Sequence, residues 1–396
     1  MTTEEVAQRL GVKPSTIYAY VSRGLLASHR NADGKGSLFA KADVDHFVAA
    51  RKRTSTPGIT TGITLIRAGG LFYRGQDACL LARTASFESV ATLLWTGERT
   101  HVDLVVDPKL HALISAVISP LPDDTRTTDR LRVIVAAAAA ADPLRFDTTP
   151  AAVVATGRTL LATMVSALPY HGNFVPGPVW YSEQADSVPL SQFLWHRLTM
   201  DRGTPAGYER LNAALVLLAD HDIAASTLAA RVAASTRANP YAVVGAGLAA
   251  LDGPLHGAAS GLAHTLLSEA LVSDDPVTTI AARQRTGALI PGFGHPLYPD
   301  GDPRAIALLG MLDDDRVRDT AARVADAMRA RSGLHPNVDF ALAALTLQAS
   351  MPADAGEAIF AVARTAGWLA HAMEEYADRP SRFRPTGQYA GLTPAT

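Results

Sequence analysis

Apolar residues recur along most of the chain at the spacing of one face of an α-helix, and alanine and leucine outnumber the β-branched and aromatic residues that favour strands. The segments 132–141 and 323–331 are examples, and both are predicted to be helical. With 396 residues, of which 48% are hydrophobic, the chain has ample material for buried cores and is too long for one compact core. We therefore expect a mainly α-helical protein with two or three domains.

The first 56 residues have the pattern of a small helical module. Thr3 is a suitable N-cap for a helix from Glu4 to Leu10, and Pro14 begins a second helix that extends to about Arg23. Further on, the turn-forming sequence at 31–36 favours the tip of a hairpin, and a third helix is expected from Ala42 to Arg53. The predicted order is helix, tight turn, helix, hairpin wing and helix.

This module resembles the winged helix-turn-helix domains of the MerR and excisionase type, which bind DNA. The segments that carry the resemblance are 5–7, 11–12, 15–18, 24–26 and 42–44. Of the 36 basic and 38 acidic residues of the chain, nine Lys or Arg and five Asp or Glu lie in this module. The remainder of the chain has 27 basic and 33 acidic residues. The alternative is a docking or dimerisation element that no longer contacts DNA. If DNA is bound, the candidate contacts are Lys13, Ser15, Thr16, Tyr18, Tyr20, Ser22 and Arg23.

The body of the chain, after a short linker at 54–58, contains three histidines and one aspartate in segments rich in turn-forming residues: His221, His256, His295 and Asp339. The loop at 291–304 contains three glycines and carries both His295 and Arg304, so that a histidine able to polarise a carbonyl stands near a guanidinium able to bind a carboxylate. This pairing suits a keto acid. Each segment alone also has a structural explanation, such as Asn337 capping a helix.

Taken in order, these segments resemble the motifs of citrate synthases, and the resemblance covers residues 60–391. The matching segments are 72–75, 219–227, 254–260, 291–304, 335–340, 363–371 and 384–391. The resemblance implies a citrate-synthase-like fold with a large domain at 58–256, completed by 351–396, and a small domain at 257–350. The chain departs from the family pattern at Ala224, within 254–260, at Pro296 and at Gly301. These departures affect the expected CoA contacts and loop geometry more than the chemistry.

The resemblance also implies roles for individual residues. Asp339 corresponds to the general base, His256 to the residue that stabilises the enol, and His295 to the residue that polarises the ketone of oxaloacetate. The chemistry agrees, because a carboxylate that removes a proton beside a thioester needs a hydrogen-bond donor at the thioester oxygen. Oxaloacetate is a dianion, and the residues implied to bind it are His221, Arg304, Arg364 and Arg384. Without the surrounding motif, Arg364 would be assigned to an ion pair on a helix surface.

In the family, the arginine corresponding to Arg384 comes from the neighbouring subunit, which implies a homodimer. No metal and no cofactor are expected, since acetyl-CoA is a co-substrate. The expected activity is condensation of acetyl-CoA with oxaloacetate to citrate, as in the tricarboxylic acid cycle. The alternatives are 2-methylcitrate synthesis from propionyl-CoA, or a DNA-binding regulator with a synthase-like sensor body.

Other features of the sequence bear on disulfides, on the cellular location and on alternative catalytic motifs. Cys79 is the only cysteine, which excludes an internal disulfide and favours a packing role. No apolar run is long enough to span a bilayer and the N-terminus has no signal core, so we expect a cytoplasmic protein. The sequence contains no GxxxxGK[ST] loop, no HExxH motif and no GxSxG elbow.

Overall fold

A computed structural model describes residues 1–10, 12–22, 26–30, 37–41, 43–45, 47, 58–104, 106–170, 188–285 and 287–383. The chain forms two compact units, Met1–Thr60 and Thr61–Thr396. As predicted, the protein is mainly helical. In the described ranges, no helix is both long and apolar enough to cross a membrane.

The N-terminal unit has the predicted order of elements. Helices α1 (Thr3–Leu10) and α2 (Pro14–Ser22) precede the antiparallel strands β1 (His29–Arg30) and β2 (Ser37–Leu38), and the residues described between 41 and 47 are helical. Arg23, the hairpin tip at 31–36, residues 48–53 of the expected third helix and the linker at 54–57 lie outside the described residues. The buried core of this unit consists of Val6, Ala7, Ile17, Leu26, Phe39 and Val44.

The cap of α1 differs from the prediction by one residue. The hydroxyl of Thr2 accepts a hydrogen bond from the Glu5 N–H at 3.3 Å, and the Glu5 carboxylate accepts one from the Thr2 N–H at 2.9 Å. This reciprocal capping box requires an acidic residue three positions after the cap, and Thr2 has one whereas Thr3 does not. The assignment of Thr3 as the cap was therefore wrong: Thr3 is the first helical residue and is buried.

The larger unit begins with a three-stranded antiparallel sheet of β3 (Thr64–Arg67), β4 (Gly70–Tyr73) and β5 (Gln76–Asp77). Helices form most of the remainder of this unit. They are α3 (Ala78–Thr84), α4 (Phe87–Thr96), α5 (Pro108–Ile118), α6 (Thr127–Ala141), α7 (Pro150–Ser166), α8 (Leu190–Leu198), α9 (Pro205–Leu218), α10 (Ala225–Ser235), α11 (Pro240–Leu251), α12 (Ala259–Val272), α13 (Pro276–Arg285), α14 (Pro303–Leu309), α15 (Asp315–Ser332), α16 (Val338–Gln348) and α17 (Ala355–Ala377). The helices predicted at 132–141 and 323–331 are confirmed as parts of α6 and α15.

The central element is α17, in which every residue from Ala355 to Ala372 is buried. A helix that is buried around its whole circumference must be enclosed by other elements, and α17 contacts α7, α9, α10 and α11 among others. Gly367 allows the closest approach, because a Cβ there would lie 2.4 Å from the carbonyl oxygen of Ala219. The turn after α9, which carries His221, is thereby held against α17.

A second, smaller core lies within residues 263–344 and is formed by α12, α13, α15 and α16 together with Leu312. It falls inside the range expected for a small domain, while several residues of α14 and α16 belong to the main core. The division at 256/257 and 350/351 stays a prediction. Cys79 is partly buried against the main core, and its thiol lies 3.5 Å from the carbonyl oxygen of Pro303.

Candidate active site

The loop that carries His295 is tied to the start of α16, which carries Asp339. The Gly294 N–H donates to the carbonyl of His335 at 2.8 Å, and the Asn337 N–H donates to the carbonyl of Gly292 at 2.9 Å. Gly292 and Gly294 have φ of +85° and +78°, which non-glycine residues rarely adopt. Asn337 then caps α16, as predicted, by accepting from the Asp339 N–H at 3.0 Å. These backbone hydrogen bonds hold the loop that carries His295 beside the start of the helix that carries Asp339.

Three aromatic side chains form a cluster beside this loop. The ring centroids of His221 and His295 are 5.1 Å apart and nearly perpendicular, and the ring of Tyr298 lies 5.6 Å from the first and 5.0 Å from the second. The Tyr298 hydroxyl is 3.0 Å from Nε2 of His221. Burial, reinforced by the nearby charge of Arg304, lowers the pKa of both histidines, that of His221 strongly, so both are neutral near pH 7.

The proton on His295 can be placed from its backbone contact. The Leu297 N–H donates to Nδ1 of His295 at 3.2 Å. Because a neutral imidazole that accepts at one nitrogen carries its proton on the other, Nε2 of His295 bears the N–H. His295 therefore presents a hydrogen-bond donor without being charged.

His256 is held in a corresponding way by a buried serine on α10. Nε2 of His256 lies 2.8 Å from the hydroxyl of Ser226, which has no other partner among the described residues. The hydroxyl therefore donates to Nε2 and leaves the proton of His256 on Nδ1. Burial, followed by the charge of Arg364, lowers the pKa of His256 to about 4, and its ring is nearly perpendicular to that of Phe360, with centroids 5.6 Å apart.

Arg364 is buried inside the protein and lacks a matching anion among the described residues. Only 1% of its surface is exposed, its Nε donates to the carbonyl of Leu218 at 2.7 Å, and Nη1 and Nη2 have no hydrogen-bond partner in the described part of the chain. Burial lowers the pKa of this guanidinium to about 10. Assignment to a surface ion pair is therefore wrong. Two buried NH2 groups without acceptors are costly unless a ligand supplies the acceptors.

Arg304 is also buried, but its planar fork is occupied. Its Nε and Nη2 donate to the two carboxylate oxygens of Asp302 at 3.0 and 2.7 Å, and Asp302 is itself 1% exposed. Asp302 accepts a further hydrogen bond from the Val338 N–H at 3.1 Å and so joins this arginine to the start of α16. Within the described chain, Nη1 is the nitrogen of this guanidinium that lacks a hydrogen-bond partner, so it is the part left for a ligand.

Asp339 has the opposite environment to Asp302. Its carboxylate accepts no hydrogen bond from any residue in the described ranges, and the side chain remains partly accessible. Burial raises the pKa of Asp339 to about 6, although the charges of Arg304 and Arg364 oppose that rise. A carboxylate with a raised pKa and no hydrogen-bond donor of its own is a stronger base than an ordinary aspartate and is free to receive a proton.

Comparison with known proteins agrees with this geometry. A family model described as citrate synthase, C-terminal domain, matches residues 53–386, and a helix-turn-helix domain model matches residues 1–52. The chain belongs to the citrate synthase family. Its catalytic class is accordingly that of an acyltransferase-type condensing enzyme.

The relatives carry two closely related names. The citrate synthase of Haloferax volcanii is 33% identical over 344 residues, covering 82% of this chain and 90% of that protein. The 2-methylcitrate synthase 2 of Corynebacterium glutamicum is 31% identical over 352 residues, covering 81% of this chain and 88% of that protein.

A solved structure of the family has a similar fold. The ternary complex of citrate synthase from Thermoplasma acidophilum with carboxymethyl coenzyme A and oxaloacetate matches with a TM-score of 0.72 at 24% identity, covering 88% of this chain and 97% of that one. At that identity the structural likeness supports the fold alone.

Of the residues expected in this family site, six lie in the described chain: His221, His256, His295, Arg304, Arg364 and Asp339. Direct contacts join several of them: the rings of His221 and His295 lie 5.1 Å apart, and Asp302 connects Arg304 to the start of α16, which carries Asp339. Arg384 lies outside the described residues. Sequence reasoning assigned no role to Ser226, Tyr298 or Asp302, although all three stand inside matched motifs, because their side-chain partners are not visible in a linear pattern.

In the N-terminal unit, the predicted DNA contacts that the structure describes differ in their exposure. Lys13, Ser15 and Tyr18 are exposed and Thr16 is partly exposed, so these four are available to a partner. Tyr20 is also partly exposed, and its ring packs on Phe47 with centroids 5.2 Å apart.

Proposed function

We propose that the protein condenses acetyl-CoA with oxaloacetate and water to give citrate and CoA, the reaction by which acetyl units enter the tricarboxylic acid cycle in the cytoplasm. One observation carries the proposal. Asp339, a carboxylate with a raised pKa and no hydrogen-bond donor among the described residues, stands in one site with two neutral histidines that each present a defined N–H. A carboxylate base and neutral hydrogen-bond donors are the groups needed to form an enol and to polarise a ketone.

In the first step, Asp339 removes a proton from the methyl group of acetyl-CoA. The negative charge that develops on the thioester oxygen is met by the Nδ1–H of His256, which Ser226 fixes in that tautomer. Because the pKa of His256 is lowered to about 4, this donor stays neutral throughout the working pH range. Asp339 is ionised above about pH 6 and is then ready to act as the base.

In the second step, the enol carbon attacks the ketone carbon of oxaloacetate. The ketone oxygen gains charge and takes up a proton, and the Nε2–H of His295 is the donor placed to supply it. The carboxylates of oxaloacetate would bind to Nη1 and Nη2 of Arg364, to Nη1 of Arg304 and to His221. Hydrolysis of the citryl thioester then releases citrate and CoA.

Propionyl-CoA is the alternative acyl donor, because relatives of both names match this chain with similar identity. One methylene changes selectivity by only about 1 to 3 kcal/mol, so small differences in the pocket decide between them. The test is CoA release with each thioester at saturating oxaloacetate. We expect a higher kcat/KM with acetyl-CoA; equal or greater efficiency with propionyl-CoA would assign the protein as a 2-methylcitrate synthase.

We further propose a homodimer in which Arg384 of each chain completes the partner's site. The test mixes two inactive variants, Asp339→Asn and Arg384→Gln, under conditions that exchange subunits. A mixed dimer then contains one site with both Asp339 and Arg384 intact, so activity should reappear. If Arg384 acts within its own chain, or if the protein is a monomer, the mixture stays inactive.

DNA binding by the N-terminal unit is a second candidate function, supported by the helix-turn-helix match and by the exposure of Lys13, Ser15 and Tyr18. Phosphate contacts make such binding weaken steeply with salt. Fluorescence anisotropy of a labelled DNA fragment should detect binding at low salt that Lys13→Ala weakens, whereas Lys109→Ala, in the other unit, should not. No binding at low salt would leave a docking role, and DNA binding without any thioester turnover would favour a regulator.

A further inference from the structure

Tyr298 is a buried residue of the site to which neither the motif nor the proposed reaction gives a task. It is 2% exposed, and its ring packs against the rings of both His221 and His295. The guanidinium carbon of Arg304 is 5.6 Å from the centre of its ring. Its hydroxyl contacts Nε2 of His221 at 3.0 Å, and no other hydrogen-bond partner of this hydroxyl occurs in the described chain.

These contacts determine which atom donates. Burial raises the pKa of Tyr298 to about 12, so the phenol keeps its proton. His221 is neutral, because burial and the charges of Arg304 and Arg364 hold its pKa well below the usual value. If Nε2 of His221 carried the proton, the Tyr298 O–H would be buried without an acceptor, which is unfavourable. The phenol therefore donates to Nε2, and His221 carries its proton on Nδ1.

We propose that Tyr298 is a positioning residue that fixes His221 in the Nδ1-protonated tautomer and thereby makes it a hydrogen-bond donor to the anionic keto acid. This inference rests on the proposed function, in which His221 contacts oxaloacetate. Nδ1 of His221 has no partner among the described residues. In the other tautomer, Nδ1 would present a lone pair to a carboxylate and repel it.

The arrangement gives the site three histidines with three separately fixed protons. His256 is set by the hydroxyl of Ser226, His295 by the backbone N–H of Leu297, and His221 by the phenol of Tyr298. Each of these contacts makes the remaining ring nitrogen a donor. A site for a dianion and for a developing oxyanion needs neutral donors in these positions, whereas an unrestrained imidazole would sample both tautomers.

The experiment uses full-length Tyr298→Phe, which removes only the hydroxyl. The matched control is Tyr241→Phe, because Tyr241 is similarly buried and its hydroxyl donates to Asp142. Tyr241 lies at the start of α11, whereas the turn that carries His256 follows the end of that helix. Oxaloacetate affinity is measured by calorimetry and the KM of each substrate by CoA release. The tautomer of His221 is read from ring nitrogen shifts in protein labelled with ¹⁵N-histidine, assigned with His221→Gln.

In the wild type, we expect the His221 proton on Nδ1. Tyr298→Phe should weaken oxaloacetate binding roughly 10- to 100-fold, the scale of one hydrogen bond to a charged group, while the KM for the thioester changes less than about 2-fold. The same variant should shift the His221 ring toward the Nε2 tautomer. Tyr241→Phe should change neither quantity, so a general loss of packing is distinguished from loss of the tautomer.

A wild-type His221 protonated on Nε2 would overturn the proposal, and that result does not depend on any variant folding. Unchanged oxaloacetate affinity in Tyr298→Phe would overturn it as well. If the wild type binds oxaloacetate but turns over no thioester, the proposed function fails while the role of Tyr298 stands. If it does not bind oxaloacetate at all, both fail.

Discussion

Replacing the proposed catalytic base should stabilise the fold. The ionised carboxylate of Asp339 is unfavourable in the native state, since burial raises its pKa from 3.8 to about 6. The difference of about 2.2 pKa units corresponds to at most about 3 kcal/mol at about 1.36 kcal/mol per unit. Asp339→Asn removes the titration and keeps the shape, so the variant should be more stable than the wild type at neutral pH.

The pH dependence gives the sign of this effect. The folded-state pKa lies above the unfolded one, so the favourable contribution of protonated Asp339 is fully present below about pH 4 and is lost as pH rises through about 6. The advantage of Asp339→Asn should therefore be near zero below about pH 4, about half its full size at about pH 5, and complete by about pH 8.

The assay is urea unfolding of wild type and variant at about pH 5 and about pH 8, each without substrates. Asp274→Asn is the control, because Asp274 is exposed and makes no hydrogen bond or ion pair within the described residues; this change should leave stability the same at both pH values. If Asp339→Asn unfolds with the same free energy as the wild type at the higher pH, or is more stable by the same amount at both pH values, the ionised carboxylate of Asp339 does not destabilise the fold.

Three further substitutions test separate contacts of the site. Ser226→Ala should lower kcat about 10- to 100-fold with little change in the oxaloacetate KM, because the His256 proton is no longer fixed on Nδ1; steady-state kinetics showing a normal kcat would contradict this. Arg364→Gln should weaken oxaloacetate binding at least about 100-fold in calorimetry, since two charged donors are lost, and an unchanged affinity would exclude Arg364 from the anion site. Asp302→Ala should cost about 3 to 5 kcal/mol in urea unfolding by leaving Arg304 buried and unpaired, and a loss below about 1 kcal/mol would refute that view of the pair.

The fold class is predictable from local signals in the sequence, whereas the expected site residues follow only from the order of several segments taken together. The start of α16 illustrates this: Asn337 is a good cap, and the structure shows it accepting from the Asp339 N–H. The cap of α1 was assigned one residue too late, although the spacing from Thr2 to Glu5 is a capping-box pattern that the sequence itself contains.

Side-chain pairings between distant segments were not predictable from the sequence. His256 and Ser226 are 30 residues apart, and His221 and Tyr298 are 77 apart, so neither contact appears in any local periodicity. The surroundings of an arginine are equally hidden. Two nitrogens of the Arg304 guanidinium bind the carboxylate of Asp302, two residues earlier. The burial of Arg364 depends on the packing of α17 among other helices.

In the proposed reaction, Asp339 is the base of a condensation between a thioester and a keto acid. The most direct measurement is CoA release from acetyl-CoA in the presence of oxaloacetate, with citrate identified as product, for wild type and Asp339→Asn. We predict turnover by the wild type and a loss of at least about 1,000-fold in the variant, with oxaloacetate affinity within about 2-fold. Turnover at the normal rate in Asp339→Asn, or no citrate from the wild type, would contradict that claim.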